Sequence, residues 1–350
     1  MIFAMKSASI PDAHAPAHKH APPILVPRAI ACLSGTEVIG DGLMKLPFLQ
    51  ALRATWPAAD IHWVTSRGPT VYASTLSTLV KPLITAVHET PAWLPSRHNP
   101  QADVQAAPTF DMIIDTRGRW RDELQARRLR PKMFVGQSWR YFFSDAKPAL
   151  FQPRPAHIAD RLLEMIEVTV RRPLIIQPQP LPLPAALCAR AEELLPAGKM
   201  YVGLAPGAGN AIKCWPLENF VALARHVVTV GKIPVFILGP AEESWKNDLH
   251  TAVPQAILPL QENWPQKPDI FTTMAVGQRL SVAVVNDSGT SHMLVAINCP
   301  LISLFGPTRA AKLAPRVTRS HVLRAQDYGD DQMRAIPVGD VVRAVEGMLR

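Results

Sequence analysis

Short apolar runs alternate with longer amphipathic stretches along most of the chain. Runs rich in Val, Ile and Leu are typical of strands buried on both faces, and they predict parallel strands at 28–33, 60–66, 83–88, 110–115, from 201, and at 233–238, 283–285 and 300–305. Apolar residues at helical spacing predict helices at 41–55, 157–170, 185–195, 217–230, 271–280, 290–298 and 336–349. Because strands and helices alternate, we expect an α/β protein with doubly wound parallel sheets.

The length of 350 residues suits two such domains. Five prolines fall within the thirteen residues from 172 to 184, which predicts a linker at 173–184. We therefore expect a first domain at 28–172 and a second at 185–335. The amphipathic helix at 336–350 is expected to pack back on the first domain, and the Ala-, Pro- and His-rich residues 1–27 are expected to be a disordered tail.

The formal net charge of +9 favours anionic partners such as phosphates, acidic sugars or a lipid surface. No nucleic-acid motif accompanies it, so we expect no nucleic-acid partner. The four cysteines are scattered without a CxxC pair, which disfavours a zinc site or disulfide framework and fits a reduced compartment. No apolar run approaches the ~18 residues of a transmembrane helix.

A first candidate site follows the apolar run at 283–285, where the sequence NDSGTSH breaks the strand and begins a helix. The amides of Ser288, Gly289 and Thr290 at such a helix start favour an anion. The alternative is structural: Asp287 or Ser288 is an ordinary N-cap, and His292 is a helix histidine with internal partners.

A second candidate site is the loop PGAGNAIKCWP, which begins at Pro206 and follows another predicted strand. Gly207 and Gly209 leave the backbone open to close approach by a ligand, and Pro216 fits the first position of the next helix. Lys213 lies in this loop, where an ammonium group can reach a phosphate. The alternative is a solvated loop lysine.

Two further features lie in the first half of the chain. Asp41 is expected to begin a helix after the first strand, where it is an N-cap and can also accept a proton from a hydroxyl group. Eight basic residues lie between Arg117 and Arg140, opposed only by two acids. Arg117 and Arg119 follow a predicted strand end and can grip an acidic sugar or lipid phosphate, although the usual interpretation of a charge run is a solvated face.

The combination of PGAGNAIKCWP, a strand ending in GPAEES, NDSGTSH and LFGPT resembles glycosyltransferase family 9, the lipopolysaccharide heptosyltransferases. The stretch GDGLMKLP at 40–47 resembles the Gly-Asp-(apolar)-Pro pattern of that family. The resemblance covers about residues 28–316. It implies a GT-B fold, in which two doubly wound, Rossmann-like domains face each other across a cleft.

The resemblance also implies roles for individual residues. It assigns Asp41 as general base and Lys213 as the cation on the departing diphosphate, and it implies that Glu242 or Glu243 binds the ribose of the donor. The alternative for these two glutamates is a role as first-turn acids of the next helix. The implied donor-binding set is Pro206, Gly207, Gly209, Asn210, Glu242, Glu243, Asp287, Ser288, Gly289, Thr290 and His292, and the implied acceptor-binding pair is Arg117 and Arg119.

The activity expected from the resemblance is inverting transfer of a heptose from ADP-heptose to a lipopolysaccharide core acceptor. We expect no required cofactor, with Mg²⁺ as the one alternative, a monomer, and a cytoplasmic location, free or peripheral on the inner face of the inner membrane. The chain departs from the family before Asp41: members often carry an arginine there, whereas this chain has CLSGTEVI, which adds the carboxylate of Glu37.

Two other classes of function stay open. One is a GT-B enzyme acting on a different nucleotide-sugar, including an epimerase. The other is a non-catalytic GT-B protein of envelope polysaccharide assembly, for which the departure before Asp41 is the best support. A Rossmann dehydrogenase is disfavoured because no GxGxxG follows the first predicted strand.

Overall fold

The computed structural model describes residues 24–174, 180–264 and 268–350. The predicted tail therefore lies outside the described residues except for 24–27, and so do residues 175–179 of the predicted linker. Within the described ranges, each half of the chain forms one sheet of five parallel strands flanked by helices.

The first half forms a sheet with the strand order β3-β2-β1-β4-β5. Its strands are β1 (Ala29–Ser34), β2 (Asp60–Thr65), β3 (Ala86–Glu89), β4 (Met112–Asp115) and β5 (Met133–Gly136). Its helices are α1 (Ile39–Thr55), α2 (Ser77–Val80), α3 (Trp120–Ala126) and α4 (Ile158–Val170), with short 3₁₀ helices at Val104–Ala106 and Arg127–Leu129. The chain reverses its winding between β1 and β4, where open α/β sheets bind ligands.

The second half forms a sheet with the strand order β10-β9-β8-β6-β7. Its strands are β6 (Tyr201–Ala205), β7 (Ile233–Phe236), β8 (Val282–Asn286), β9 (Leu301–Phe305) and β10 (Ser320–Arg324). Its helices are α5 (Ala185–Leu194), α6 (Leu217–Thr229), α7 (Lys246–Ala252), α8 (Pro259–Glu262), α9 (Ile270–Gly277), α10 (Gly289–Ala296), α11 (Ala310–Leu313) and α12 (Val338–Leu349), and 3₁₀ helices occupy Ala211–Lys213, Pro240–Trp245, Ala325–Tyr328 and Met333–Ala335. The winding reverses between β6 and β8.

All eight predicted strands are present, and the prediction of doubly wound parallel sheets is confirmed. Two strands were not predicted. The four-residue β5 lies inside the arginine-rich segment, and β10 is an edge strand whose side chains are exposed or half-buried, so neither has a long apolar run.

Two predicted helix starts are wrong by a few residues. Helix α1 begins at Ile39 with Val38 as N-cap, so Asp41 lies in the first turn and is not the cap. Pro216 is the N-cap of α6 and not its first helical residue. Asp41 still lies where a carboxylate is favoured by the helix dipole.

The prediction that the last helix packs on the first domain is wrong. Helix α12 packs on α6, β8 and β9, and its buried Val341 and Val345 belong to the core of the second domain. The Nε2 of His226 in α6 lies within hydrogen-bonding distance, 2.9 Å, of the Oε1 of Glu346 in α12. The amphipathic pattern of the helix predicts that it is docked, but it does not specify which sheet face it covers.

The two domains contact each other through helices that follow β1 and β8. Helix α1 packs against α4 of its own domain and against α10 of the second. His157 caps α4 and contacts the carbonyl of Ala314 at 3.1 Å, and Arg316 pairs with Asp160 at 2.6 Å. The N-terminal ends of α1 and α10 are thereby brought face to face.

Candidate active site

The buried side chain of Asn286 fixes the loop at the switch point of the second sheet. Asn286 ends β8, and its amide donates a 2.7 Å hydrogen bond to the carbonyl of Pro206. Its Oδ1 accepts a 3.1 Å hydrogen bond from the backbone N–H of Trp215. One side chain thus holds both ends of the PGAGN loop against the end of β8.

The same loop turns back on itself and directs Lys213 to Asp287. Asn210 caps the 3₁₀ turn by accepting from the N–H of Ile212 at 3.1 Å, and Lys213 ends that turn. The Nζ of Lys213 lies 2.8 Å from the Oδ2 of Asp287, whose side chain is only 8% exposed. Two residues 74 positions apart therefore form an ion pair between the two loops.

The start of α10 presents open backbone to the same place. The first N–H groups of any helix have no partner within the helix, and the helix dipole favours an anion there. The Oγ of Ser288, the N-cap, is buried without a hydrogen-bond partner. Among the described residues, no atom lies within 4 Å of the Cβ position of Gly289, so there is room for a ligand beside this residue.

Of the two candidate ribose ligands, Glu242 is the one that contacts the PGAGN loop. A Cβ on Gly207 would lie 2.4 Å from the Cδ of Glu242, so this close approach requires glycine. The Oε2 of Glu242 accepts from the N–H of Gly239 at 2.9 Å, whereas Glu243 is exposed. Ribose binding by either residue stays a prediction.

Asp41 of the first domain lies in the first turn of α1, the helix that packs against α10. A Cβ on Gly40, the residue before it, would lie 3.1 Å from the Cδ2 of His292 and 3.7 Å from the Cα of Gly289. Burial lowers the pKa of His292, while the nearby carboxylates of Asp287 and Asp41 act to raise it. The structure thus brings Asp41, His292 and Asp287 into one electrostatic neighbourhood.

The carboxylate of Glu37, which departs from the family pattern, is fully buried inside the first domain. It accepts hydrogen bonds from Ser34 at 2.8 Å, from the indole of Trp63 at 2.8 Å and from Thr70 at 2.6 Å. Lys45 forms its ion pair. Glu37 is therefore no second acid in the site, since its partners hold it under the loop that precedes Asp41.

The two predicted acceptor arginines are placed differently. Arg117 makes a two-pronged ion pair with buried Asp115, at 2.8 and 2.6 Å, and its side chain is 3% exposed. Arg119 is exposed and lines a cavity of about 430 Å³. The cavity is lined by Arg97, Gly118, Arg119, Trp120, Arg121, Asp122, Ser138, Trp139 and Arg154. Arg119 is thus the one free to meet a ligand, and acceptor binding by either arginine stays a prediction.

A larger cavity of about 550 Å³ lies between the domains, beside His292. Leu43 of α1, Leu163 of α4 and Val295 of α10 are among its apolar lining residues. The arginine among its lining residues, Arg316, is already paired with Asp160, so this cavity is less suited to a diphosphate than the Lys213 side of α10.

The searched ranges 24–174, 180–264 and 268–350 hold no group of three or more His, Cys, Asp or Glu residues that fits a metal ion. No helix within the same ranges is both long and apolar enough to span a membrane.

Comparison with known proteins gives a consistent result. The sequence model for glycosyltransferase family 9 (heptosyltransferase) matches residues 106–336. Lipopolysaccharide heptosyltransferase 3 of Escherichia coli is 23% identical over 336 residues, covering 89% of this chain and 96% of that protein. Lipooligosaccharide heptosyltransferase 2 of Haemophilus influenzae is 27% identical over 124 residues, and this match spans only 35% of the chain and 36% of that protein.

Solved structures share the fold at low sequence identity. A family 9 glycosyltransferase from Veillonella parvula superposes with a TM-score of 0.68 at 19% identity, covering 92% of this chain and 97% of that one. The E. coli ADP-heptose lipopolysaccharide heptosyltransferase II gives a TM-score of 0.64 at 15% identity, with coverage of 92% and 98%.

Two facing doubly wound domains, with a glycine loop and a helix start at the second switch point, define the GT-B class of glycosyltransferases. Within that class, the chain belongs to glycosyltransferase family 9, the heptosyltransferase family.

Two residues that build the site were not among those predicted from the sequence. Asn286 was interpreted only as part of a chain break, although a polar residue ending a buried strand is itself a signal for a loop clamp. Trp215 was noted only within a motif, yet its buried indole donates to the carbonyl of Ile336 at 2.9 Å and anchors the loop from below.

Replacing Glu37 by Ala should lower the free energy of unfolding by about 3–5 kcal/mol, because Lys45 loses the partner of a largely buried ion pair. Urea denaturation measures this change. The control Glu346→Ala removes the partially exposed partner of His226 and should cost less than about 1 kcal/mol. Equal, small losses in the two variants would contradict the account of Glu37.

His292 should make the protein sensitive to acid. Burial lowers its pKa below the ordinary 6.5, so its contribution to stability is complete above pH 6.5 and is lost as the pH falls through the lowered pKa. The free energy of unfolding, obtained from thermal unfolding between pH 7.5 and 5.5, should decrease less steeply with falling pH for His292→Gln than for the parent. The two slopes should differ by up to about 1.4 kcal/mol per pH unit. The exposed His321→Gln is the matched control. Parallel profiles for parent and His292→Gln would contradict this.

Proposed function

We propose that this chain is an inverting glycosyltransferase that moves a heptose from ADP-heptose to the core of a lipopolysaccharide acceptor. The observation that carries the proposal is the Lys213–Asp287 ion pair beside the start of α10, with Asp41 of the other domain near His292 of the same helix. The relatives named as lipopolysaccharide heptosyltransferases support the donor and acceptor class.

The donor diphosphate lies over the Gly207–Gly209 turn and the first amides of α10. Gly209 and Gly289 have no described atom within 4 Å of their Cβ positions, and helix amides are a natural site for phosphate oxygens. The ammonium group of Lys213 exchanges its contact with Asp287 for the diphosphate and neutralises charge that develops as the diphosphate leaves.

Asp287 binds the sugar and not the phosphates. A carboxylate beside two phosphates would be repelled, whereas it accepts hydrogen bonds from sugar hydroxyls readily. Release of Lys213 frees the Oδ2 of Asp287 for this purpose. The ion pair thus joins two groups that act on neighbouring parts of the donor.

Asp41 removes the proton of the acceptor hydroxyl as its oxygen attacks the anomeric carbon. The bond from that carbon to the diphosphate oxygen breaks in the same displacement, which inverts the configuration, and the proton ends on the carboxylate of Asp41. Glu37 does not compete as a base because its carboxylate is buried among its own partners.

The acceptor lies on the first domain, at the cavity that Arg119 lines. Arg97, Arg121 and Arg154 surround the same cavity, which gives it the positive charge that an anionic glycolipid or oligosaccharide requires. Arg117 acts beneath them as the partner of Asp115. The monomeric state, the cytoplasmic location and the absence of a required cofactor stay predictions.

Asp41→Asn should lower kcat by about 10²–10⁴-fold, because the amide keeps the shape of the side chain but cannot take a proton. ADP release is measured with ADP-heptose and a truncated lipopolysaccharide acceptor, and ADP affinity is measured in parallel. Asp248→Asn, on exposed α7, is the control and should be fully active. Undiminished turnover in Asp41→Asn would eliminate its role as base.

ADP at ~100 times its Kd should raise the free energy of unfolding by about 2.7 kcal/mol in the parent and by much less in Lys213→Ala. Thermal shifts with ADP, UDP, GDP and NAD measure this, and Lys312→Ala, an exposed lysine of the same domain, is the control. The shift, and not the absolute Tm, is compared because Lys213→Ala also leaves Asp287 unpaired. A thermal shift with UDP or GDP, and not with ADP, would mean that the donor carries a different nucleotide. No shift with any of the four compounds would favour a non-catalytic protein.

A further inference from the structure

The exposed aromatic side chains of the protein are concentrated in one segment of the first domain. Among the described residues, the large aromatic side chains that are exposed are Trp120, Trp139, Phe142 and Phe151, and Leu150 is exposed beside them in sequence. Phe142 is 64% exposed and Phe151 is 87% exposed. Contiguous exposed apolar groups of this kind mark an interaction surface.

Three of these rings form one cluster, and the chain at Leu150–Phe151 is tied to the loop that carries it. The rings of Trp120 and Trp139 stack with centroids 5.4 Å apart, and the ring of Phe142 lies 6.4 Å from that of Trp139. Arg140 donates to the carbonyl of Gln152 at 3.0 Å, which ties the Leu150–Phe151 loop to the Trp139 loop. We call Trp120, Trp139, Phe142, Leu150 and Phe151 the aromatic patch.

The backbone holds the aromatic patch outward at an energetic cost. Trp139, Arg140 and Tyr141 all have positive φ, at 44°, 57° and 64°, which non-glycine residues rarely adopt. The turn is fixed by the N–H of Phe142, which donates to the carbonyl of Ser138 at 3.2 Å, and by the buried hydroxyl of Tyr141, which is bonded to Glu164 at 3.0 Å. Tyr141 thus anchors the turn while its neighbours on either side point to solvent.

Basic side chains surround the aromatic patch. Arg121 lies over the Trp120 ring at 5.1 Å, and the Nζ of Lys147 lies 5.9 Å from the centre of the Phe142 ring. Arg119, Arg140 and Arg154 are exposed nearby. Apolar aromatic groups bordered by cations match the interface of a bilayer, where the rings enter the headgroup region and the cations meet lipid phosphates.

We propose that the aromatic patch docks the first domain on the surface of an anionic phospholipid bilayer. A second copy of this chain fits less well, because a symmetric contact would bring the same arginines against each other. A single-stranded nucleic acid would use the rings for stacking but would leave Leu150 and Phe151 in water.

This inference does not depend on the proposed transfer reaction. The patch borders the cavity that Arg119 lines, since Trp120 and Trp139 belong to both. A membrane-anchored acceptor would therefore meet the first domain at the bilayer surface, with the second domain delivering the donor.

The test is co-sedimentation of the purified protein with vesicles that contain no acceptor, made of phosphatidylcholine alone or with phosphatidylglycerol. Binding should require phosphatidylglycerol and weaken with salt. The double variant Phe142→Ser, Phe151→Ser should lower the partition coefficient about tenfold or more, because two exposed rings no longer enter the bilayer. Arg140→Glu should lower it as well. Both rings are exposed, so the fold is retained, and unfolding curves verify this.

Matched controls on the second domain are Val230→Ser for an exposed apolar group and Arg334→Glu for an exposed cation, and both should bind like the parent. Lipids with brominated acyl chains should quench the tryptophan fluorescence of the parent protein. They should quench the fluorescence of Trp139→Phe much less. The proposal is overturned if the parent does not bind, if the patch variants bind like the controls, if binding occurs without quenching, or if sedimentation shows a dimer that the double variant dissociates.

Discussion

The pair of hydrogen bonds made by the buried amide of Asn286 is the interaction on which the candidate site of the second domain depends. It joins the end of β8 to both ends of the loop between β6 and α6. Because β6 and β8 are neighbours at the point where the winding reverses, this one side chain sets the distance between the two loops that meet there. The Lys213–Asp287 contact follows from that distance.

The first domain uses the same arrangement with different chemistry. There Glu37 lies beneath the loop after β1. Its carboxylate accepts hydrogen bonds from hydroxyl and indole groups of β1, β2 and the following loop, and it pairs with an ammonium group of α1. Each loop is therefore held rigidly where it reaches the interface between the domains. At that interface α1 and α10 are in contact, with Gly40 packed against His292. Buried polar side chains such as Asn286 and Glu37, which are hydrogen-bonded to several partners, rigidify a structure in this way.

The sequence predicted the sheets well because their strands are buried on both faces and read as apolar runs. It did not predict β5, which lies among arginines, or β10, which is exposed, because neither strand has a long apolar run. Asp41, Lys213 and Asp287 were identified as candidates, but the contact between Lys213 and Asp287 and the position of Asp41 near His292 join residues that only the topology brings together. The role of Glu37 was open for the same reason, because its partners Trp63 and Thr70 come from other parts of the chain. The docking of α12 on the second sheet depends on which apolar surface is left uncovered, and a single amphipathic stripe does not contain that information.

The most direct measurement of the central claim is a crystal structure of the protein with ADP bound. The account predicts that the diphosphate lies over Gly207–Gly209 and the start of α10, that the Nζ of Lys213 contacts a phosphate oxygen, and that Asp287 has lost its ion pair. A diphosphate bound elsewhere, with the 2.8 Å contact between Lys213 and Asp287 intact, would contradict it.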